Sequence, residues 1–319
     1  MRFFSERRMK YFQKAKKYVI MGVNDLQDLR QFSDYTQFIS ETPFDFSKNS
    51  SIGVGGKADI VFYPRSTAEC ALLIKMLQRE GVEYCVLGNL TNVLPPDEGS
   101  SRVIIRTNKL NGVLVTDNGV FAYAGATSGA LLASCKRAGK SGLEFLKGVP
   151  CTLGGALYMN AGAGGVYMDS VVESVLVYRE GETKILPVQD CAYAYKSSAF
   201  MRSQDVILGA SLRLKKASIE EIEEKERFFA QRRAHLPKGK SMGCTFKNPH
   251  NAFAGDLIER SGLKGFRIGG ARVSQDHANF IVNDGNATAK DIRELILVIK
   301  NAVLAQYGVK LEEEIRYLT

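Results

Sequence analysis

The sequence lacks the features that assign many chains to a class at once. It has no tryptophan, and its three histidines, His235, His250 and His277, are too scattered to suggest a metal cage. Its six cysteines form no CxxC pair and no Cys/His spacing typical of zinc sites. No apolar run is long enough to cross a membrane, since even LILVIKNAVLA is interrupted by Lys300. We therefore predict no metal site and no membrane insertion.

The sequence also lacks an export signal. Residues 1–20 hold seven lysines and arginines and one glutamate, but no apolar run of the length that a signal peptide needs. They supply most of the formal net charge of +9. This basic extension, residues 1–35, could bind RNA, a membrane or a partner, or could be a solvated, partly helical arm, and we favour the last. We expect a cytoplasmic protein with reduced thiols, no nucleic-acid partner and a monomeric or weakly dimeric state.

What the sequence does contain is a mixture of strand and helix signals. Strands are predicted at 58–64, 84–88 and 205–216, and hairpins at 112–125, around the preferred turn Asn118-Gly119, and at 173–188. Helices are predicted at 66–81, capped by Ser66, and at 127–142. The character changes near residue 216, where helices at 218–235, 254–262 and 288–308 and a final strand at 309–318 follow; Thr288 and Asp291 form a capping box. This pattern predicts an α+β fold with a domain boundary near 216.

Small residues are concentrated in five short loops. They are IGVGGKAD (52–59), LGNLTN (87–92), AGA (124–126), GVPCTLGGALYMNAGAGG (148–165) and IGGA (268–271). Loops of this kind expose backbone N–H groups that can hold phosphates, although any one of them could be an ordinary tight turn. In the doubly wound nicotinamide fold the glycine motif lies between a strand and a helix, whereas GVGG here precedes a strand. That fold is therefore not predicted.

The stretch SMGCTFKNP (241–249) contains a cysteine that could be a nucleophile, a proton donor, a metal ligand or a small buried residue. The sequence offers no partners for a metal at Cys244. It offers no companion base that would activate a nucleophile either. A proton donor and a small buried residue remain as interpretations.

The order of these motifs resembles one family, UDP-N-acetylenolpyruvoylglucosamine reductase (MurB), in its shorter branch. The resemblance runs from about Ser50 to the C-terminus and is carried by seven ordered motifs: SSIGVGGKAD, VLGNLTNVL, GLEFLKGVPCTLGGALYMNAGAGG, CAYAYKSSAF, GCTFKNP, GLKGFRIGGARVS and LEEEI. It implies a PCMH-type (vanillyl-alcohol-oxidase-like) FAD-binding fold over 36–215, with two subdomains split near 105. A C-terminal substrate domain over 216–319 is implied to follow. The implied activity is reduction of an enolpyruvyl UDP-sugar by NADPH through FAD.

The resemblance assigns roles residue by residue. The catalytic residues would be Lys196 as the cation, Cys244 in place of the family's proton-donating serine, and Glu314 as the acid that polarises the intermediate, with Glu312 as its alternate. The substrate, a UDP-linked amino sugar, would be held by Tyr195, Asn248, Lys264 and His277, although His277 could equally be a packing residue. The cofactor-binding residues would be Gly53, Gly55, Gly56, Gly88, Asn89, Thr91, Asn92, Ala124, Gly125, Gly154, Gly155, Asn160, Gly162 and Ala163.

Several positions depart from the family pattern. Lys196 stands where the family has arginine, and lysine lacks the planar fork that grips a carboxylate. Leu90 replaces a glycine of the phosphate loop, where a side chain would be strained at positive φ. Cys151 replaces a glycine and Gly164 a tyrosine. These changes leave open a diverged paralogue with an altered substrate, or one that binds a nucleotide sugar without catalysis.

Overall fold

The structure, a computed structural model, describes residues 35–117 and 119–318. The predicted basic extension, up to residue 34, and Asn118 of the predicted hairpin turn lie outside the described residues. The α-helices of the described residues are α1 (Phe46–Asn49), α2 (Thr67–Arg79), α3 (Ser128–Arg137), α4 (Leu153–Met159), α5 (Ile219–Arg232), α6 (Ala254–Arg260) and α7 (Ala289–Tyr307). None of them is long and apolar enough to cross a membrane.

The strands are short, and most belong to three sheets. In chain order they are β1 (Ser40–Glu41), β2 (Phe44–Asp45), β3 (Lys57–Ala58), β4 (Val61–Phe62), β5 (Tyr84–Leu87), β6 (Val93–Leu94), β7 (Val103–Arg106), β8 (Val113–Thr116), β9 (Gly119–Tyr123), β10 (Lys140–Ser141), β11 (Gly162–Ala163), β12 (Val166–Tyr167), β13 (Val172–Arg179), β14 (Glu182–Pro187), β15 (Val206–Leu212), β16 (Lys215–Lys216), β17 (Ser241–Cys244), β18 (Arg267–Ile268), β19 (Ala271–Val273), β20 (Phe280–Asn283) and β21 (Arg316–Tyr317).

The first sheet has the strand order β1-β4-β7-β5, in which β4, β7 and β5 run parallel. The second sheet is antiparallel, with the order β14-β13-β15-β9-β8, and contains both predicted hairpins. The third, in the C-terminal part, is antiparallel in the order β17-β20-β19-β18. The mixed strand and helix content agrees with the α+β prediction.

Local sequence signals explain the helices. Helix α2 begins after Ser66, whose side chain accepts from the N–H of Glu69, and it buries a stripe at i, i+3, i+4 and i+7 that starts at Cys70. Helix α7 begins with the predicted capping box, in which Thr288 accepts from the Asp291 N–H and the Asp291 side chain accepts from the Thr288 N–H. These helices were predictable because each start signal lies within a few residues of the helix.

Three predicted strands are wrong in detail. The run 205–216 is divided into β15, in the second sheet, and β16, which pairs with β10 outside it. The run 58–64 is not one strand, because β3 pairs with β2 whereas β4 pairs with β1 and β7, so the chain changes sheet between them. The segment 309–318 is not one strand either. The N–H groups of Glu314 and Ile315 both point to the carbonyl of Thr245, which a regular ladder does not allow, and only β21 is a strand there.

The apolar residues form two large cores and a third, smaller one around Phe44 and Phe46. One core joins the first two sheets, and another lies around α6 and α7 in the C-terminal part. The second core also takes Ile52, Val54 and Leu94 from the N-terminal half. Helix α5, assigned above to the C-terminal domain, packs instead on residues 144–146 and on α3. The boundaries stay a prediction, and these contacts favour a later one, after α5.

The C-terminal part is joined to the N-terminal part by hydrogen bonds to main-chain groups. Strand β21 pairs in parallel with β6, with Arg316 opposite Val93. The Asp97 carboxylate accepts from the N–H groups of Ala289 and Lys290, at 2.7 and 3.0 Å, and so caps α7 from the other domain. Both contacts fix the segment that follows the predicted phosphate loop 87–92 against the C-terminal domain.

Candidate active site

A buried ion pair forms the charged centre of the site. The Nζ of Lys196 lies 2.8 Å from Oε1 of Glu314, and the two side chains are 16% and 14% exposed. Burial lowers the pKa of Lys196, but the charge and hydrogen bond of Glu314 together raise it by a larger amount, so the net shift is upward. Lys196 is therefore a cation at neutral pH. It lies in the loop after β14, and Glu314 lies just before β21.

The thiol of Cys244 lies next to this pair. Cys244 ends β17, and its charge interactions include Glu314 and Lys196. Burial and then the Glu314 charge raise the pKa of the Cys244 thiol to about 11, against the opposing effect of Lys196. The thiol therefore keeps its proton at neutral pH, as a proton donor must. The structure brings together all three residues that the sequence assigned to catalysis.

Glu312, the alternate acid, is placed elsewhere. Its side chain is 73% exposed and pairs with Lys247 at 3.4 Å. The segment is not the regular strand that would have given Glu312 and Glu314 one face, so the two carboxylates point to different surroundings. Glu314, and not Glu312, pairs with Lys196, and its catalytic role stays a prediction.

Arg233 is a site residue that the sequence reasoning missed. It closes α5 as the C-cap, and its charge interacts with both Cys244 and Cys151. Its Nε lies 3.3 Å from where a Cβ on Gly148 would sit. Burial lowers the pKa of this guanidinium, and no carboxylate among the described residues pairs with it. An unpaired, half-buried cation is costly unless an anion joins it. No spacing signal in the sequence distinguishes it from its neighbour Arg232.

The predicted substrate residues form a second group beside the first. The hydroxyl of Tyr195 accepts from the Asn248 N–H at 3.2 Å, and the Asn248 side-chain oxygen accepts from the N–H of Ala254 at 3.0 Å. Tyr195 is next to Lys196 in the chain, so this contact links the cation to the start of α6. Asn248 fixes that helix start as well as facing the site. Contact of these residues with substrate stays a prediction.

His277 and Lys264 lie close enough for the lysine charge to act on the imidazole. The Nδ1 of His277 accepts from the Asn279 N–H at 3.2 Å, and its ring stacks on His235 with the centroids 6.4 Å apart. Burial and then the nearby His235 lower the pKa of His277, which favours the neutral ring. Lys264 pairs with Glu259 at 2.9 Å. These contacts support the packing role of His277, and binding of substrate by either residue stays a prediction.

The predicted cofactor residues other than Asn92 and Asn160 divide into two sets. One set lies where the two N-terminal subdomains meet: a Cβ on Gly88 would collide with Thr152 Oγ1, and one on Gly154 would lie 3.1 Å from Ala124. The Gly155 N–H donates to Thr152 Oγ1 in the first turn of α4. Asn89 accepts from the Asn108 amide at 2.8 Å. This set comprises Gly88, Asn89, Thr91, Ala124, Gly125, Gly154 and Gly155.

The other set has close contacts with protein. Gly53 lies under the Lys240 side chain, Gly55 against Pro95, and Gly56 against the backbone of Asp97. Each glycine therefore allows another segment of the protein to pack closely against its backbone. Gly162 and Ala163 form β11, where a Cβ on Gly162 would collide with the ring of Tyr167. As at Gly88 and Gly125, these contacts give the small residues a packing role, and contact of either set with a cofactor stays a prediction.

Asn160 supports the catalytic loop. It has φ of +43° at the end of α4, is 1% exposed, and donates from its side chain to the Ala194 carbonyl at 3.0 Å and to Asp169 at 3.2 Å. The Asp169 N–H donates back to it at 3.0 Å. The amide therefore holds the loop that carries Lys196.

Comparison with known proteins agrees with this arrangement. The family model of the UDP-N-acetylenolpyruvoylglucosamine reductase C-terminal domain matches residues 234–318, and that of an FAD binding domain matches residues 58–186. A UDP-N-acetylenolpyruvoylglucosamine reductase of Clostridioides difficile is 39% identical over 275 residues, covering 85% of this chain and 90% of the relative. One of Caldicellulosiruptor bescii is 36% identical over 296 residues, covering 89% and 94%. This chain belongs to the UDP-N-acetylenolpyruvoylglucosamine reductase family.

A solved structure of the family supports the fold. The crystal structure of UDP-N-acetylenolpyruvylglucosamine reductase (MurB) from Thermus caldophilus aligns with a TM-score of 0.76 at 32% identity, covering 88% of this chain and 99% of that one. The predicted family and the predicted fold, a PCMH-type FAD-binding unit followed by an α+β C-terminal domain, are confirmed.

The residues present fit the FAD that this family binds. Beside Gly88 and Asn89, two buried polar atoms have no partner in the described protein: Nε of Arg106 and Oδ1 of Asn108. The Arg106 guanidinium is anchored by a 3.1 Å bond from Nη2 to the Gly88 carbonyl. The free Nε–H of the Arg106 cation next to a small-residue loop suits a pyrophosphate, whereas the Asn108 oxygen can accept only from a donor group of the cofactor. We infer that these groups belong to the FAD site.

Leu90, the largest departure from the reductase pattern, adopts the strained conformation that was expected. Its φ is +56°, yet its side chain is only 2% exposed and packs in a small core with Phe44, Phe46 and Leu318. Burial of a leucine side chain stabilises by about 1.5–3 kcal/mol, which exceeds the cost of about 1–2 kcal/mol for a left-handed L-residue. The leucine thus anchors the loop instead of displacing it.

Substitution of Leu90 tests this balance. We expect Leu90→Ala to lower the free energy of unfolding by about 2–5 kcal/mol, because it leaves a cavity and keeps the strain. Leu90→Gly leaves the same cavity but removes the strain, so it should be about 1 kcal/mol more stable than the alanine variant. Urea unfolding of both variants measures the difference. An alanine variant as stable as the glycine variant would show that the backbone is unstrained.

The cysteines of this reductase are protected by burial. All six are free, and burial is the first cause of a raised thiol pKa at each: to about 12 at Cys70 and about 11 at Cys85, Cys135, Cys151, Cys191 and Cys244. A rise of about 2 pKa units reduces the thiolate fraction about 100-fold. We expect slow alkylation of the native protein at pH 8 and rapid alkylation of six thiols in urea, measured by mass spectrometry. Rapid native labelling at Cys244 would contradict its protonated state.

Proposed function

We propose that this chain reduces the enolpyruvyl double bond of UDP-N-acetylglucosamine enolpyruvate, with NADPH as reductant, to give UDP-N-acetylmuramate for peptidoglycan synthesis. The relatives that it resembles over most of their length are named reductases of this kind. The observation that carries the proposal is the buried Lys196–Glu314 pair beside a protonated Cys244. Unpaired thiols suit work in the reducing cytoplasm.

The FAD would be held mainly at the junction of the two N-terminal subdomains. The backbone around Gly88 and Gly154, with Arg106 and Asn108, lines that junction. When bound and reduced by NADPH, this cofactor would supply the hydride for the β carbon of the enolpyruvyl group. The remaining steps fall to side chains of this chain.

Lys196 and Arg233 offset the negative charge that develops on the substrate. Addition of a hydride to the β carbon places negative charge on the α carbon and its carboxylate, and preorganised cations in a buried site stabilise such charge. Glu314 orients Lys196 and keeps it protonated. Cys244 then donates its S–H proton to the α carbon, and the resulting thiolate recovers a proton from solvent. The nearby cations favour that thiolate.

The substrate's diphosphate and sugar would extend along the second group. Tyr195 and Asn248 link the catalytic loop to α6, and Lys264 supplies a positive charge farther along the same domain. A nucleotide sugar with its diphosphate needs such a cation. In this arrangement the enolpyruvyl end of the UDP-sugar would lie at Cys244 and its diphosphate toward Lys264.

The absorbance spectrum of the purified protein tests the proposal. We expect a yellow protein whose flavin absorbance is bleached by NADPH under anaerobic conditions and restored by UDP-N-acetylglucosamine enolpyruvate. A colourless protein that does not take up FAD would overturn the proposal. Binding of the nucleotide sugar by calorimetry without restored absorbance would instead support the diverged paralogue.

A further inference from the structure

The backbone of Glu314 is held from two sides. Its N–H donates to the carbonyl of Thr245 at 2.8 Å, and Thr245 directly follows Cys244. Its carbonyl accepts from Nδ2 of Asn92 at 3.1 Å. Asn92 is the last residue of the loop 87–92. The acid is thus tied to the proton donor by one bond and to the loop by the other.

Asn92 makes a second bond to the same segment. Its carbonyl accepts from the Arg316 N–H at 2.9 Å, and the pairing continues along β6 and β21, where the Leu318 N–H donates to the Leu94 carbonyl at 3.1 Å. The side chain of Asn92 thus bonds to Glu314 and its main chain bonds to Arg316, the two neighbours of Ile315 in the chain. The amide spans 222 residues of sequence to reach Glu314.

The segment around Glu314 needs such support. Glu314 lies between an isolated bridge, Glu313 to Phe246, and the two-residue strand β21, so no regular ladder fixes its peptide. Without the Asn92 amide, a half-buried carbonyl loses its donor and the short segment loses a restraint next to the Lys196 pair. A displacement of about 1 Å at a catalytic group can cost about 100-fold in rate.

We propose that Asn92 is a positioning residue that fixes Glu314, and through it Lys196, at the end of the loop 87–92. This proposal rests on the proposed function for its rate measurement. It differs from the role that sequence resemblance implied, in which Asn92 binds the cofactor. The two roles predict different defects.

The test uses the FAD-loaded full chain and the variant Asn92→Ala. We expect its FAD dissociation constant, from flavin fluorescence, and its rate of reduction by NADPH to stay within about twofold of wild type. Restoration of flavin absorbance by UDP-N-acetylglucosamine enolpyruvate should be slowed about 10–100-fold. Asn92→Asp, which keeps the size but cannot donate, should show the same slowing.

Asn283→Ala is the matched control. The Asn283 amide also donates across the two halves of the chain, to the carbonyls of Ile52 and Gly53 at 3.0 and 3.2 Å, but does not touch Glu314. We expect it to lower the melting temperature without the selective loss of flavin reoxidation. If Asn92→Ala raises the FAD dissociation constant about tenfold but reoxidises normally once saturated, Asn92 is a cofactor ligand and the proposal fails. Unchanged reoxidation by Asn92→Ala also overturns it.

A second measurement separates this proposal from the proposed function. If wild-type flavin is not reoxidised by the UDP-sugar, the proposed function fails, and the position of Glu314 can still be followed through Cys244. The Glu314 charge opposes formation of the Cys244 thiolate. Because the effect of Glu314 on this pKa is larger than the opposing effect of Lys196, displacement of the pair in Asn92→Ala should raise the rate of Cys244 alkylation severalfold, measured by mass spectrometry at pH 9. An unchanged rate would overturn the positioning role.

Discussion

Replacement of Cys244 by alanine is expected to slow flavin reoxidation by the UDP-sugar about 10²–10⁴-fold, the usual contribution of a positioned proton donor. Reduction of the flavin by NADPH should be unaffected, because no proton from Cys244 is needed there. Cys244→Ser should keep most of the activity, since the hydroxyl also retains its proton at neutral pH and occupies the same position. Anaerobic stopped-flow absorbance separates the two half-reactions.

Cys85→Ala provides the control for the loss of a buried thiol. Cys85 lies on β5, away from the Lys196–Glu314 pair, and burial raises its thiol pKa to about 11 as well. Its removal should leave both half-reactions unchanged. If Cys244→Ala reoxidises as fast as wild type, the thiol is only a small buried residue and the proton comes from another group or from water.

Replacement of Lys196 by methionine should have an effect of similar size. We expect reoxidation to fall about 10²–10³-fold, because the cation that stabilises developing charge is lost. We also expect a loss of about 3–5 kcal/mol in the free energy of unfolding, because the Glu314 side chain, which is only 14% exposed, is left as an unpaired charge. Lys196→Arg should raise turnover if the lysine is a handicap relative to the family's arginine.

Lys247→Met is the matched control for that variant. Lys247 pairs with Glu312, which lies two residues before Glu314. Because Glu312 is 73% exposed, this pair contributes only about 0–1 kcal/mol to stability. This variant should change the free energy of unfolding by no more than about 1 kcal/mol and the rate of reoxidation by no more than a few-fold. Equal effects of Lys247→Met and Lys196→Met would mean that the buried pair has no special role.

Alkaline conditions should weaken this centre. The folded-state pKa of Lys196 is raised, so the stabilisation that the pair contributes is present below the unfolded lysine pKa and is lost as the pH rises through the folded value. The Cys244 pKa is raised in the same direction, to about 11. The charged pair and the protonated donor therefore coexist throughout the neutral range, where the reductase would work.

The sequence by itself determined the parts of this protein that depend on nearby residues. Capped helices such as α2 and α7 and the hairpin of β13 and β14 formed as predicted, because caps, apolar periodicity and turns act within a few residues. The order of motifs was sufficient to identify the family. The order of motifs alone predicted Lys196, Cys244 and Glu314 as the catalytic residues.

Only the tertiary structure decided which residues share the site. Glu314 rather than Glu312 meets Lys196, the charge of Arg233 acts on Cys244 and Cys151, and Asn92 bonds to a residue 222 positions away. Leu90 is tolerated at positive φ because a core assembled from distant segments buries it. These outcomes depend on contacts between segments far apart in the chain, and the free energy of such contacts leaves no local pattern in the sequence.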